Sequence, residues 1–218
     1  MKKLFVMICS LVLLDLGITN QVLALSLSMQ PASTTAAPGD GVTLDLIISG
    51  LGDYASPSLG DFDIDISYDT SALTLTSYSL GNFLGDISLG EALDLSLGDL
   101  GGIINVAELS LLDADSLSGP SFYGPYLDEI QPESFTLASF DFIVDVLAPG
   151  TSTIVGINSV NALGDGYGNP LVLDSFTDAV INNPSEPVPE PATVLLFGTG
   201  IAGLATSRFK RKNKHKKS

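Results

Sequence analysis

The stretch Gly60–Tyr68, GDFDIDISY, decides the fold class of this chain. Apolar or aromatic side chains occupy every second position, and acidic side chains or a serine stand between them. The first set is Phe62, Ile64, Ile66 and Tyr68; the second is Asp61, Asp63, Asp65 and Ser67. Because successive side chains of a β-strand point to opposite faces, the pattern predicts a strand with one buried and one acidic face.

The same alternation recurs on both sides of this strand. It covers Leu25–Gln30, Val42–Ser49, Leu73–Thr76 and Phe140–Leu147, with turn sequences such as Pro38–Gly41 between the runs. Residues 93–112 predict two further strands, and residues 116–132 predict a long loop with at most a helical turn. Several short strands at this spacing are typical of an antiparallel sandwich. We therefore predict one all-β domain at 25–183, a length sufficient for a core of its own.

The charge distribution excludes several classes of function. All nine Lys and Arg residues lie at the two ends: Lys2 and Lys3, then seven residues from Arg208 onward. The only His is His215 and the only Cys is Cys9, whereas 24 of the 25 acidic residues lie between Asp40 and Glu190. Triad hydrolysis, zinc binding and nucleic-acid binding all need groups that the predicted domain lacks. We expect no enzyme, and we keep open a low-ranked alternative, a glycoside-active enzyme that uses two carboxylates.

The N-terminus has the pattern of a secretory signal peptide. Residues 1–24 contain two lysines, an apolar stretch, and small residues before a predicted cleavage site after Ala24. A retained membrane anchor is the alternative. Cleavage would remove Cys9, so the exported protein could form no disulfide.

The C-terminus has three parts. Residues 184–191 form a proline-rich spacer, residues 192–207 are apolar, and residues 208–218 are basic. As a helix, the apolar part would span ~24 Å, which is short for a bilayer core. The basic tail predicts a cytoplasmic end and a transient transmembrane segment, with the acidic domain outside. A soluble tail is the alternative.

Val188, Pro189, Glu190 and Pro191, followed by the apolar and basic parts, resemble the PEP-CTERM sorting signal of Gram-negative bacteria. The resemblance implies processing by an exosortase, a membrane-embedded cysteine transpeptidase, near the Pro-Glu-Pro sequence. Proteins of this kind are associated with extracellular polysaccharide and biofilm. The resemblance thus predicts export across the inner membrane to the cell surface, the outer envelope or the extracellular matrix.

The domain resembles a cohesin, a jelly-roll sandwich related to some carbohydrate-binding modules. The resemblance rests on Pro38–Asp40, on Gly60–Leu73 with its YDTSAL corner at 68–73, on Phe135–Phe142 and on Ala148–Thr153. Cohesins of cellulosomes bind a dockerin through a sheet face, but nothing in this sequence indicates such a context. We therefore predict a non-enzymatic binding or scaffold module whose partner is another surface protein or a polysaccharide, and we keep open a carbohydrate-binding module for exopolysaccharide.

Two groups of residues are candidates for calcium. Asp61, Asp63 and Asp65 share one strand face, and Asp165 and Asn169 bound a glycine-containing loop. Side chains two positions apart on a strand are ~6.5 Å apart, so one ion would need ligands from a neighbouring strand as well. The alternatives are a solvated outer face for the first group and a plain turn for the second.

Tyr123 and Tyr126 are candidates for ligand binding. They lie with Phe122 in the predicted loop, where aromatic rings could stack on sugars. The alternative is a loop that packs its own rings against the sandwich.

Overall fold

The computed structural model describes residues 24–118 and 124–184, which form two β-sheets packed face to face. In chain order the strands are β1 (Ser26–Gln30), β2 (Ser33–Thr35), β3 (Gly41–Ser49), β4 (Leu59–Ser67), β5 (Leu73–Leu80), β6 (Ala92–Asp94), β7 (Gly98–Asp99), β8 (Ile103–Ser110), β9 (Ser134–Val144), β10 (Ser152–Asp165), β11 (Ser175–Thr177) and β12 (Ala179–Asn182). The helical content of the described residues is one turn of 3-10 helix (Ile87–Leu89) and one α-helical turn, α1 (Leu127–Ile130). The predicted all-β sandwich is confirmed.

The first sheet has the strand order β11-β1-β3-β9-β5, and the second has the order β2-β12-β10-β4-β8-β6, with β7 also paired to β8. Most neighbours are antiparallel, as predicted, but β1 pairs with β11 in parallel and β2 pairs with β12 in parallel. The cause is that the first and last extended segments of the domain both cross from one sheet to the other. β1 ends at Gln30 and β2 begins at Ser33; β11 ends at Thr177 and β12 begins at Ala179.

The core lies between the sheets and follows the predicted alternation. In β4, Phe62, Ile64 and Ile66 are buried, while the aspartates between them are partly exposed. Opposite them, Phe140 and Phe142 of β9 are also buried. Burying each such side chain contributes roughly 1.5–3 kcal/mol, so this interface stabilises the fold as a whole.

The described residues contain no Lys, Arg or His, so their carboxylates cannot form salt bridges with other side chains of this part of the chain. Several of them accept hydrogen bonds from hydroxyl groups instead. On the outer side of the first sheet, Asp141 accepts hydrogen bonds from Thr43 Oγ1 at 2.6 Å and from Ser77 Oγ at 2.8 Å. These two bonds lower the pKa of Asp141. Asp145 likewise accepts a bond from Thr74 at 2.5 Å. At these positions, neutral hydrogen-bond donors contact the carboxylates where a salt bridge would have a cation.

Several predicted segments lie outside the described residues. These are residues 1–23 of the signal peptide, most of the proline-rich spacer, the apolar segment 192–207 and the basic tail 208–218. Within the described part of the chain, no helix is long and apolar enough to cross a membrane.

Candidate binding face

The outer surface of β10, β4, β8 and β6, here called the outer face, brings together most of the predicted site residues. Register fixes which side chains share it. Asp61 lies opposite Leu109 of β8, and Leu109 lies opposite Leu93 of β6. Because directly opposed residues of neighbouring strands point to the same side, this row runs from an acidic residue to two leucines across the sheet.

The centre of the outer face is a hydrogen-bonded carboxylate pair. Asn105 Nδ2 of β8 donates to Asp63 Oδ1 at 2.7 Å and to Asp65 Oδ1 at 2.8 Å. On the other side of β4, Ser159 Oγ of β10 donates to Asp65 Oδ2 at 2.8 Å. Asn161 Nδ2 lies 3.2 Å from both carboxylates. Two carboxylates on one strand are therefore held by donors from both neighbouring strands.

The orientation of Asn105 is fixed by its own oxygen. Asn105 Oδ1 accepts a hydrogen bond from the backbone N–H of Leu97 at 3.0 Å, so its nitrogen must face the carboxylates. The hydrogen bond from the Asn105 side chain is the largest cause of the lowered pKa of Asp65, and the hydrogen bonds from Ser159 and Asn161 lower it further. Asp65 is consequently ionised at neutral pH and its geometry is set in advance. The two-residue period predicted the aspartates on one face, but it did not predict Asn105, Ser159 and Asn161, because they come from neighbouring strands whose register the sequence does not show.

Exposed leucines border this polar centre. Leu95 and Leu97, which follow β6, are 54% and 71% exposed. Leu93 and Leu109 are also exposed, as are Ile103 at the start of β8 and Leu111 just beyond its end. An apolar border beside an ordered polar group is typical of surfaces that bind proteins. The sequence patterns did not predict this border.

The third aspartate of the group has a different environment. Asp61 lies beside Asp165 of β10, and burial followed by repulsion from Asp165 raises its pKa. Its carboxylate occupies the space above Gly164, where a Cβ would lie 2.1 Å from Asp61 Oδ1. Asp61 and Asp165 therefore repel each other at this end of the outer face.

The loop after β10 is a turn closed by Asp165. The backbone N–H groups of Tyr167 and Asn169 donate to Asp165 Oδ1 at 2.9 and 2.8 Å, and Asn169 Nδ2 donates to Oδ2 at 3.0 Å. Burial opposes ionisation of Asp165, but the bonds from Asn169 and Tyr167 outweigh it and lower its pKa. Asn169 thus directs its nitrogen, not its oxygen, at the carboxylate.

The described residues contain no group of three or more acidic side chains arranged to hold a metal ion. The structure separates the predicted calcium ligands into Asp63 with Asp65, which face amide donors, and Asp61 with Asp165. Calcium at either place stays a prediction.

The predicted aromatic ligand site is described in part. Tyr126 is partly buried at the start of α1, and its backbone N–H lies 3.3 Å from Glu129 Oε2. Tyr123 lies outside the described residues. Sugar binding by this pair stays a prediction.

Solved cohesins share this architecture. The seventh ScaB type I cohesin from Pseudobacteroides cellulosolvens is 14% identical, with a TM-score of 0.55 over 77% of this chain and 96% of that chain. The sixth cohesin of Acetivibrio cellulolyticus scaffoldin B, solved in complex with a Cel5 dockerin, is 18% identical, with a TM-score of 0.54 over 73% and 99%. A type II cohesin domain from the cellulosome of the same organism is 18% identical, with a TM-score of 0.53 over 73% and 95%. The described domain is therefore a cohesin-like β-sandwich.

The C-terminal resemblance is confirmed by a match to the PEP-CTERM protein-sorting motif over residues 187–212. The match includes Val188, Pro189, Glu190 and Pro191. No curated protein matches the chain. The motif implies export, a transient membrane anchor and processing by an exosortase.

Proposed function

We propose that this protein is an exported surface or matrix component whose sandwich binds another protein through the outer face. The observation that carries the proposal is the apolar border beside the ordered Asp63–Asp65 pair. A solvated strand face needs neither feature: exposed leucines cost solubility, and a fixed carboxylate geometry matters only to something that contacts it.

Charge indicates the chemistry of the partner. The outer face carries Asp61, Asp63 and Asp65, and the described residues contain no cation to balance them. A partner with an apolar segment flanked by Lys or Arg would fill the leucine border and pair with the aspartates. A second copy of this domain would bring carboxylates against carboxylates and is disfavoured.

The solved relatives support a protein partner over a sugar. Among them, the sixth cohesin of Acetivibrio cellulolyticus scaffoldin B was solved in complex with a dockerin. The exposed large side chains bordering the polar centre of the outer face are leucines and isoleucine, whereas flat aromatic rings are what stack on sugars. Delivery by the PEP-CTERM route would place this module at the outer envelope or in the extracellular matrix.

The test compares two surface substitutions of equal exposure. Leu97 on the outer face is 71% exposed, and Val146, which follows β9 in the other sheet, is 74% exposed. Wild type, Leu97→Asp and Val146→Asp chains are immobilised and exposed to an envelope extract of the source cell. We expect a protein that is retained by wild type and Val146→Asp and is lost on Leu97→Asp.

The retained protein is then purified, and its Kd for each variant is measured by calorimetry. We expect Leu97→Asp to weaken binding by at least about tenfold, which corresponds to losing one well-packed contact. Equal retention by both variants would contradict the proposal. Binding to purified exopolysaccharide that Leu97→Asp leaves unchanged would favour the carbohydrate-binding alternative.

A further inference from the structure

The backbone nitrogen of Leu25 lies at an acidic side chain far away in sequence. The Leu25 N–H donates to Asp174 Oδ2 at 2.9 Å, and the Asp174 N–H donates to the Leu25 carbonyl at 2.8 Å. Leu25 is 5% exposed, so the start of the domain is pinned to the segment that leads into β11. This nitrogen is also the atom that cleavage after Ala24 would release.

We propose that removal of the signal peptide creates an ion pair between the new N-terminal ammonium of Leu25 and the carboxylate of Asp174. Hydrolysis of the Ala24–Leu25 bond adds one water, leaving a carboxylate on Ala24 and an amine on Leu25. A free α-amine has a pKa of about 7.7–8.0 and is mostly protonated at neutral pH. The inference rests on the predicted export and cleavage.

The pair would have a special place in this protein. Between Leu25 and Ser207 the sequence has no Lys, Arg or His, so the new terminus is the one cation that processing adds to an anionic domain. The observed 2.9 Å separation already fits a charge-assisted hydrogen bond. Conversion of the amide to an ammonium therefore strengthens an existing contact.

The surroundings hold Leu25 and Asp174 in place beside each other. Leu25 and Asp174 line a cavity of about 340 Å³ together with apolar residues that include Leu51, Leu171 and Val172. Gly50 leaves no room for a Cβ here, because a Cβ would lie 2.3 Å from the Ala24 carbonyl oxygen. The Ala24 carbonyl therefore packs against the Gly50 backbone, which holds the chain in place directly before Leu25, although Ala24 itself is exposed.

The experiment is a double-mutant cycle on chains that end at Ser218. One chain begins at Leu25 and the other keeps Ala24, which moves the ammonium by one residue while the Leu25 amide can still bond to Asp174. Each is made with Asp174 and with Asp174→Asn, and Tm is measured at neutral pH. We expect the Leu25 chain to melt about 3–5 °C above the Ala24 chain, and the Asp174→Asn change to reduce that gap to less than about 1 °C.

A gap of the same size in both backgrounds would show that the extra residue acts by packing, and it would overturn the ion pair. A gap near zero with Asp174 present would overturn it too. Intact-mass analysis of the exported protein tests the premise separately. A first residue other than Leu25 would overturn the link to maturation whatever the cycle showed, and retention of residues 1–24 would also count against the proposed export.

Discussion

Glu108 lies directly opposite Phe62 across the β4–β8 ladder, and its carboxyl group is therefore on the core side of the second sheet. Glu108 is 1% exposed, and its Oε1 has no hydrogen-bond partner among the described residues. Burial, with a further contribution from the charge of Asp94, raises the pKa of Glu108 to about 7. A buried acid with a raised pKa makes the stability of the sandwich depend on pH.

Glu108→Gln should remove that dependence. Since the folded-state pKa is raised above the ordinary value of 4.5, the contribution of Glu108 to stability is fully present below pH 4.5 and is lost as the pH rises to about 7. We expect the variant to match wild type at pH 4 and to be about 1–3 kcal/mol more stable at pH 8. Urea unfolding at the two pH values measures this; an equal difference at both would contradict the cause given.

Gln131→Ala should destabilise the fold strongly. The buried Gln131 side chain accepts from the Leu59 N–H at 2.7 Å and donates to the carbonyls of Leu59 and Phe83 at 2.8 and 2.9 Å. Its loss removes a side-chain partner from three backbone groups, at a cost of about 2–4 kcal/mol by thermal unfolding. Gln131→Glu is the matched control: it should be worse at pH 7 than at pH 4, because only the protonated acid can donate.

Asn105→Asp should turn the centre of the outer face into a cluster of three carboxylates. The substitution removes both amide donors to Asp63 and Asp65 and adds repulsion, so we expect a loss of about 2–3 kcal/mol at pH 7. Calcium at millimolar concentration should restore more stability to this variant than it gives to wild type. If calcium stabilised the two proteins equally, the Asn105 side chain would not be filling a position that a calcium ion can take.

Divalent cations should stabilise the wild-type domain more than sodium does at equal ionic strength. The described residues contain 22 Asp and Glu and no Lys, Arg or His, and the charge of Asp165 acts on the nearby carboxylate of Asp61. A divalent ion can pair with two carboxylates, whereas sodium mainly screens. We expect a higher Tm in calcium or magnesium and a smaller difference in Asp61→Asn; identical shifts in all salts would mean screening alone.

Strict alternation made part of this fold predictable. GDFDIDISY specified β4 and its two faces, since a strand between two others has one consistent inner side. β10 was not predicted, although it is the longest strand at 14 residues, because three irregularities in its register with β4 interrupt the two-residue period. The three-residue strands β2 and β11 are too short to show any period.

Only the part of the candidate site that lies on the single strand β4 was predictable from the sequence. The spacing of Asp61, Asp63 and Asp65 places them on one face, and they do share it. Their partners come from β8 and β10, and the Asn105 and Ser159 contacts depend on a register that the sequence of β4 does not contain. The same holds for Leu25 and Asp174, which are 149 positions apart.

The hydroxyl donors to Asp141 and Asp145 affect how the stability of this domain depends on salt concentration. Brine weakens the attraction between opposite charges, and proteins built on such pairs lose internal cohesion as salinity climbs. Here the hydrogen-bond donors are uncharged, so salt does not weaken them in this way. Salt instead screens the repulsion among the acidic side chains. The sandwich is thus built to tighten, rather than loosen, when its surroundings become more saline.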